Sequence, residues 1–252
     1  MFLLNFIKEE DFEKQVLITL NEYYAHIKGM NLKEFNKNSI DPIKLLFDKN
    51  IFNSSFEEII KQEISRQIDK SNNNSIGYFH QNLFKYINKC TVPEKVWDII
   101  FKQDEKTTYY VELKNKHNTM NSSSSVKTYM SMQSHLLNAK DKEQSICALV
   151  EVIAKKSADT PWRISINNQR QPENKRLRKI SIDKFYEIVT GDKFAFAKLC
   201  QQLPITIEKL VKKENISIQQ NNAIFEELLK IDKDILKALY QLAFSSYNGF
   251  NQ

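Results

Sequence analysis

Apolar residues recur at helical spacing from Phe12 to Ile27, at Phe12, Val16, Leu17, Leu20, Tyr23, Tyr24 and Ile27, so a helix is expected there, with Gly29 as its stop. Asp41-Pro42 opens a second, short helix through Leu46 and Phe47, with Pro tolerated in the first turn. Ser55-Phe56-Glu57-Glu58 has capping-box spacing and is followed by Ile59, Ile60, Ile64 and Ile68. The run SNNNS over 71–75 reads as a polar break, and Ile76 to Ile87 as a further helix. After Pro93 the period changes. Val96 to Phe101 is a short β-type run, Gln103 to Lys106 a polar turn, and Thr107 to Lys114 a β-branched and aromatic strand paired with the first. Val126 to Leu137 is helical, Gln144 to Ala154 a buried strand, and short strands are expected at Arg163 to Ile166 and ending at Ile180-Ser181. From Phe194 onward the chain is helical again, with breaks at Pro204 and around Asn215.

Helices, then β-β-α-β with further short strands, then helices, predict an α/β (α+β) fold. A mixed central sheet is flanked by helices, with helical N- and C-terminal regions. The 252 residues, 41% hydrophobic, suffice for one core, so a single domain over 1–252 is expected, divided into 1–75, 76–196 and 197–252. The four glycines, Gly29, Gly77, Gly191 and Gly249, lie too far apart to write either glycine-rich phosphate cradle, Rossmann or P-loop. Cys90, Cys147 and Cys200 are too few for a disulfide framework or zinc ribbon and read as small buried hydrophobes in a reducing, cytoplasmic compartment. No signal peptide is expected at the start, where acid follows the first apolar run at once. No stretch is apolar enough to predict a membrane span.

The net charge of +6 permits a polyanionic partner without specifying one. Its distribution says more. Only five of the 37 basic residues are Arg, and four of those, Arg163, Arg170, Arg176 and Arg178, fall between Pro161 and Lys179 with Glu173 as the sole acid. Arg reads guanine edges and phosphates through a planar fork, which Lys lacks, and Asn167, Asn168 and Gln169 add amides suited to base edges. The other reading of this segment, 161–179, is an ordinary solvated loop.

Candidate chemistry sits on the second strand of the pair. Side chains alternate along a strand, so Glu112 and Lys114 of Glu112-Leu113-Lys114 share a face, and the turn can bring Asp98 beside Glu112. Converging carboxylates repel unless a cation lies between them. Hard oxygen donors suit Mg²⁺, with Asp98, Glu112 and the Leu113 carbonyl as expected ligands. Lys114 is placed to hold or deprotonate water for phosphodiester hydrolysis. Taken alone, the triplet equally fits a same-face surface ion pair.

These residues resemble the PD-(D/E)xK nuclease superfamily: Asp98 as first acid, Glu112 as second and Lys114 as the lysine, with Trp97 where the name has proline. Ile76 to Gln81 is similar to the helix that brings a Glu to the site in that superfamily, here with Gln81 in its place. The run VELKNKHNTMNSSSSVKTYMSMQ, Val111 to Gln133, resembles type II restriction endonucleases of the Sau- and Eco-type group that recognise GGNCC or GGWCC, and the likeness covers about Ile76 to Phe196. It implies a restriction-endonuclease-like core and a Mg²⁺-dependent homodimer. Such an enzyme cuts both strands of double-stranded DNA at a short G·C-flanked palindrome, leaving 5′-phosphates. It also implies a restriction-modification system with a cognate DNA methyltransferase outside any stable complex. On this reading Lys116, His117, Asn118, Asn121, Ser122, Ser123, Ser124, Ser125 and Lys127 contact DNA near the cut. The serines serve equally as helix caps. Arg163, Asn167, Asn168, Gln169, Arg170, Arg176 and Arg178 are the expected sequence readers and phosphate contacts. His26, His80 and His135 are expected to be ordinary helix residues, and 207–244 to support the core or dimer. A repair or mobile-element nuclease of the same core and a non-catalytic DNA-binding protein remain the rival readings.

Overall fold

A computed structural model describes residues 2–37, 40–214 and 223–243. The elements in chain order are α1 (Glu9–Lys28), α2 (Leu32–Lys37), α3 (Pro42–Ile51), α4 (Phe56–Leu83), β1 (Cys90–Thr91), β2 (Ile99–Lys102), β3 (Thr108–Lys116), α5 (Ser122–Asn138), β4 (Ser145–Ile153), β5 (Asp159–Pro161), β6 (Ser165–Ile166), β7 (Gln169–Arg170), β8 (Leu177–Ser181), α6 (Ile182–Thr190), α7 (Ala195–Glu214), α8 (Ala223–Ile231) and α9 (Ile235–Ala243). Chain contacts divide them into two compact units: 1–19 with 76–214, and 20–75 with 215–252.

The first unit holds a six-stranded mixed sheet, ordered β1-β2-β3-β4-β8-β5. The polar turn makes β2 and β3 antiparallel, with Ile99 opposite Val111, whereas the crossover through α5 makes β4 parallel to β3. β8 runs parallel to β4, and β5 closes the edge antiparallel to β8. Alternation and register put Val111, Leu113, Ala148, Val150 and Ile180 on one face. α6 packs against β4 and β8, and its Phe185 and Tyr186 rings lie 5.2 and 4.9 Å from Phe84. The other face takes α5: Tyr129, Met132 and Leu136 bury against Cys147, Leu149, Leu177 and Trp162. The mixed α/β fold with a helix-flanked central sheet is therefore as expected.

The second unit is helical among its described residues. Phe35, Leu45, Ile59, Ile60, Leu228 and Leu239 form its buried centre. Two helix starts follow the sequence closely. Asp41 caps α3 by accepting from the Lys44 N–H at 3.0 Å, and the Ser55–Glu58 box closes reciprocally at 2.8 and 3.2 Å.

Three expectations fail for physical reasons. The SNNNS run does not break the chain; α4 passes through it. Ser71 and Asn73 return their side chains to the carbonyls of Gln67 and Asp69 four residues back, so the polar groups are satisfied without leaving the helix. Pro204 likewise lies inside α7 rather than ending it. The break expected around Asn215 lies outside the described residues. Cys90 and Cys147 are buried and their thiols are pushed up to about 12 by burial, but Cys200 is exposed on α7.

Candidate active site

Three residue rows cross the α5-covered face of the sheet, and their character changes along it. The register aligns Tyr110 with Cys147 and Leu177, then Glu112 with Leu149 and Lys179, then Lys114 with Glu151 and Ser181. The first row belongs to the core under α5, while the later ones carry charge towards the carboxyl ends of the parallel strands.

Asp98 stands just before β2, where the ladder with β3 ends. Its N–H donates to the Val111 carbonyl at 3.0 Å, and its carboxylate Oδ2 accepts from the Leu113 N–H at 2.7 Å. Burial raises the Asp98 carboxyl above its ordinary value, and the Glu112 charge pushes the same way, against the Leu113 N–H bond and the Lys114 charge. Asp98 and Glu112 are thus close enough to repel. Lys114 Nζ donates to Glu112 Oε1 at 2.6 Å, with both side chains about a quarter to a third exposed. The Leu113 carbonyl points to the same side of β3 as its N–H, past the last rung of the β2 ladder. Gln81, from the last turn of α4, donates to the Asp98 carbonyl at 3.2 Å.

This donor set suits a hard divalent cation. Two neighbouring carboxylates and one backbone carbonyl leave the remaining positions to water, as Mg²⁺ prefers. Among the described residues no cluster of three or more His, Cys, Asp or Glu has the geometry to hold a metal by side chains alone. The fit therefore rests on the mixed set of Asp98, Glu112 and Leu113.

Beside it lies a second charged group that the sequence reading missed. Glu151 on β4 is buried, with its side chain 6% exposed. It pairs with Lys179 Nζ at 2.8 Å and with His117 Nδ1 at 3.2 Å. The signal was present: an acid inside the otherwise apolar SICALVEVI strand is hardly ever buried without a partner. Lys114, Glu151 and Lys179 line one pocket with Asn118, Ser125 and Trp162.

The other expected DNA contacts distribute unevenly. His117, Asn118 and Ser125 are drawn to that pocket. Asn121 caps α5 by accepting from the Ser124 N–H at 2.8 Å, and Ser122, Ser123 and Ser124 are exposed on its first turn, so capping and exposure coexist. Lys116 and Lys127 are exposed. Asn167 and Asn168, at φ 50° and 62°, form the turn between β6 and β7, which carry exposed Gln169 and Arg170. Ile164 and Ile166 anchor this hairpin to the α5 cluster. Arg163 reaches Glu173 at 2.8 Å. Arg176 and Arg178 are not brought to the site. Arg176 donates to the Lys142 carbonyl ahead of β4, and Arg178, on the opposite face of β8, forks onto Asp159 at 2.7 and 2.9 Å. His80 is half-buried on α4, and desolvation lowers its imidazole to about 4. Among the described residues no helix is long and apolar enough to cross a membrane.

Comparison with known proteins identifies the family. The family model for the Eco47II restriction endonuclease matches residues 4–212. The type II restriction enzyme Sau96I of Staphylococcus aureus is 30% identical over 232 residues, covering 89% of this chain and 87% of that protein. The type II restriction enzyme Eco47II of Escherichia coli is 29% identical over 216 residues, covering 84% and 89%. The match spans α1 to α6 with the whole sheet and most of α7, so the chain belongs to the Eco47II restriction endonuclease family and is a type II restriction endonuclease.

Proposed function

We propose that this restriction endonuclease is a PD-(D/E)xK enzyme. It hydrolyses double-stranded DNA at a short G·C-flanked palindrome of the GGNCC kind, as a Mg²⁺-dependent homodimer in a cytoplasmic restriction-modification system. The observation that carries the reading is the meeting of Asp98, Glu112 and Lys114 where the β2–β3 ladder ends. A charge-repelling carboxylate pair with an ammonium group beside it has little structural value of its own, because a surface ion pair contributes ~0–1 kcal/mol. A twofold protein on a twofold site cuts both strands, and a separate methyltransferase protects the host site.

When bound, Mg²⁺ neutralises charge on the phosphoryl oxygens and acidifies water. Asp98, Glu112 and the Leu113 carbonyl would hold it, while Gln81 fixes the Asp98 backbone and so the aim of that carboxylate. Lys114 orients the attacking water and faces the negative charge that grows on the phosphate. Water oxygen bonds to phosphorus, the P–O3′ bond breaks, and the proton ends on the leaving 3′-oxygen, leaving a 5′-phosphate. The exposed β6–β7 hairpin, with Arg170 and neighbouring Arg163, is the reader of guanine edges. Digesting supercoiled plasmid with and without Mg²⁺, then mapping the ends, tests this. Discrete fragments with 5′-phosphates at one G·C-flanked sequence are expected; smearing, or cutting that persists in excess chelator, sinks it.

A further inference from the structure

We propose that the pocket at the carboxyl ends of β3, β4 and β8 binds one backbone phosphate of the strand being cut. Lys179 is its cationic anchor, and Glu151 is the positioning residue that holds Lys179 in place. The inference rests on the nuclease reading above and adds a second contact point to it.

Glu151 and Lys179 reach the pocket by register. Lys179 sits across from Leu149, one row before Glu151, and its side chain leans forward to put Nζ 2.8 Å from Glu151 Oε1. The carboxylate is buried, but the Lys179 side chain is 32% exposed, so one end of the pair is fixed while the other faces the opening. His117 closes the arrangement. Its backbone N–H donates to the Ile153 carbonyl at 2.8 Å, and its Nδ1 lies 3.2 Å from Glu151 and 3.5 Å from Lys179. A buried pair of this kind gives little net stability against an apolar alternative, because desolvation offsets the attraction. Its position therefore needs another reason.

The lining supplies one. The lining itself carries two ammonium groups, Lys114 and Lys179, against the single carboxylate of Glu151, with Glu112 paired to Lys114 outside it, and Ser125 and Asn118 add neutral donors. That composition suits the non-bridging oxygens of a phosphodiester: two ammonium groups for charge and two polar side chains for geometry. Lys114 is shared with the Asp98–Glu112 site, so the phosphate bound here neighbours the scissile one. Holding two successive phosphates would fix the strand in register with the attacking water, which a single contact cannot do.

The test uses the full-length protein and a duplex containing its end-mapped cleavage site, with binding read by anisotropy in the absence of Mg²⁺. A single neutral methylphosphonate is walked along the strand. For the wild type, one position adjoining the cut should weaken binding by about tenfold, the scale of one charge-assisted contact. Lys179→Ala should weaken the unmodified duplex by a similar factor, become indifferent to methylphosphonate at that position, and lower the log–log salt slope by about one. Lys179→Arg should restore the position dependence. Glu151→Gln should keep overall affinity within a few-fold but blur the positional effect and slow single-turnover cleavage. Losses from Lys179→Ala and the methylphosphonates that add at every position would overturn the proposal. If Glu151→Gln does not fold, the Lys179 pair, substituted at a side chain a third exposed, decides alone. An enzyme that cuts normally while Lys179→Ala binds like wild type removes the pocket and leaves the nuclease reading; a wild type that cuts no DNA removes both.

Discussion

The two ends of the sheet face under α5 are both rich in polar groups, yet only one of them is built as a site. At the amino ends of the parallel strands, Tyr110 donates to Asp141, Ser145 Oγ donates to the Asp141 carbonyl at 2.9 Å, and Arg176 donates to the Lys142 carbonyl. Each polar group there is matched to a local neighbour, and the Trp97 and His135 rings lie 5.4 and 4.2 Å from Tyr110. At the carboxyl ends the Glu112 charge opposes that of Asp98, and Lys114, Glu151 and Lys179 gather around an open pocket. Polarity does not mark the site. Charges left in mutual conflict beside solvent do, because folding alone would not retain them.

The comparison predicts its largest contrast in catalysis. Glu112→Ala and Lys114→Ala should each lower single-turnover cleavage by about 10³-fold, the scale of removing one preorganised charge-stabilising group, while duplex affinity stays within a few-fold for Glu112→Ala and falls by no more than about tenfold for Lys114→Ala, which also lines the phosphate pocket. Cleavage by both variants at the wild-type rate would refute the site.

Next comes Asp98, where function and stability should pull apart. Its folded-state carboxyl lies above the ordinary value, through burial first and the Glu112 charge second. The protonated form therefore favours the fold: that contribution is whole below the ordinary carboxylate range and disappears as pH rises through the raised value. At neutral pH the ionised side chain costs stability. Asp98→Asn keeps an oxygen to accept from the Leu113 N–H, so it should melt higher than wild type at pH 8 and lose that advantage towards pH 4. It should also cut about 10²-fold more slowly or worse. Melting curves at the two pH values and one cleavage time course check all three outcomes.

Sequence readout should separate the four arginines by the partners already given. Arg170 is exposed on the hairpin, and Arg163 holds only an exposed bridge to Glu173. Replacing a base-reading Arg with Ala should cost about 1–3 kcal/mol in binding and relax one position of the site. Arg176 and Arg178 are engaged with Lys142 and Asp159, so their Ala variants should leave the cleavage sequence unchanged. A selection of cut sites from randomised DNA reads all four variants at once.

The same contrast explains what was legible in the sequence. Local rules sufficed for the β2–β3 pair, the helix caps at Asp41 and Ser55, and the Glu112/Lys114 face, because period-2 alternation and capping spacing need no knowledge of distant chain. The SNNNS run and Pro204 misled because both residue types usually end helices; back-bonding to Gln67 and Asp69 makes the first compatible with α4. Glu151 was passed over because its partners, His117 and Lys179, lie 34 residues before it and 28 residues after it in the chain. Parallel pairing joins segments separated by a helix, and a window along the chain does not see across it. The arginine cluster is dense in sequence but splits in space, since Arg178 and Lys179 alternate to opposite faces of β8.

The smallest effect tests the quiet end. Tyr110 stands on β3 two residues before Glu112, on the same face, and its hydroxyl donates to Asp141. Tyr110→Phe keeps the ring against Trp97 and His135 and removes only that bond, so it should lower stability by ~1 kcal/mol, the net value of one hydrogen bond. Cleavage rate, cut position and duplex affinity should remain those of the wild type. The distance along β3 between the two ends is only about 7 Å per pair of residues, so an effect of Tyr110→Phe on catalysis would mean that the ends are coupled through the α5 platform. In that case the conflict among Asp98, Glu112 and Lys114 would be set by the packing beneath it. A change confined to the melting temperature instead leaves the site independent of its floor.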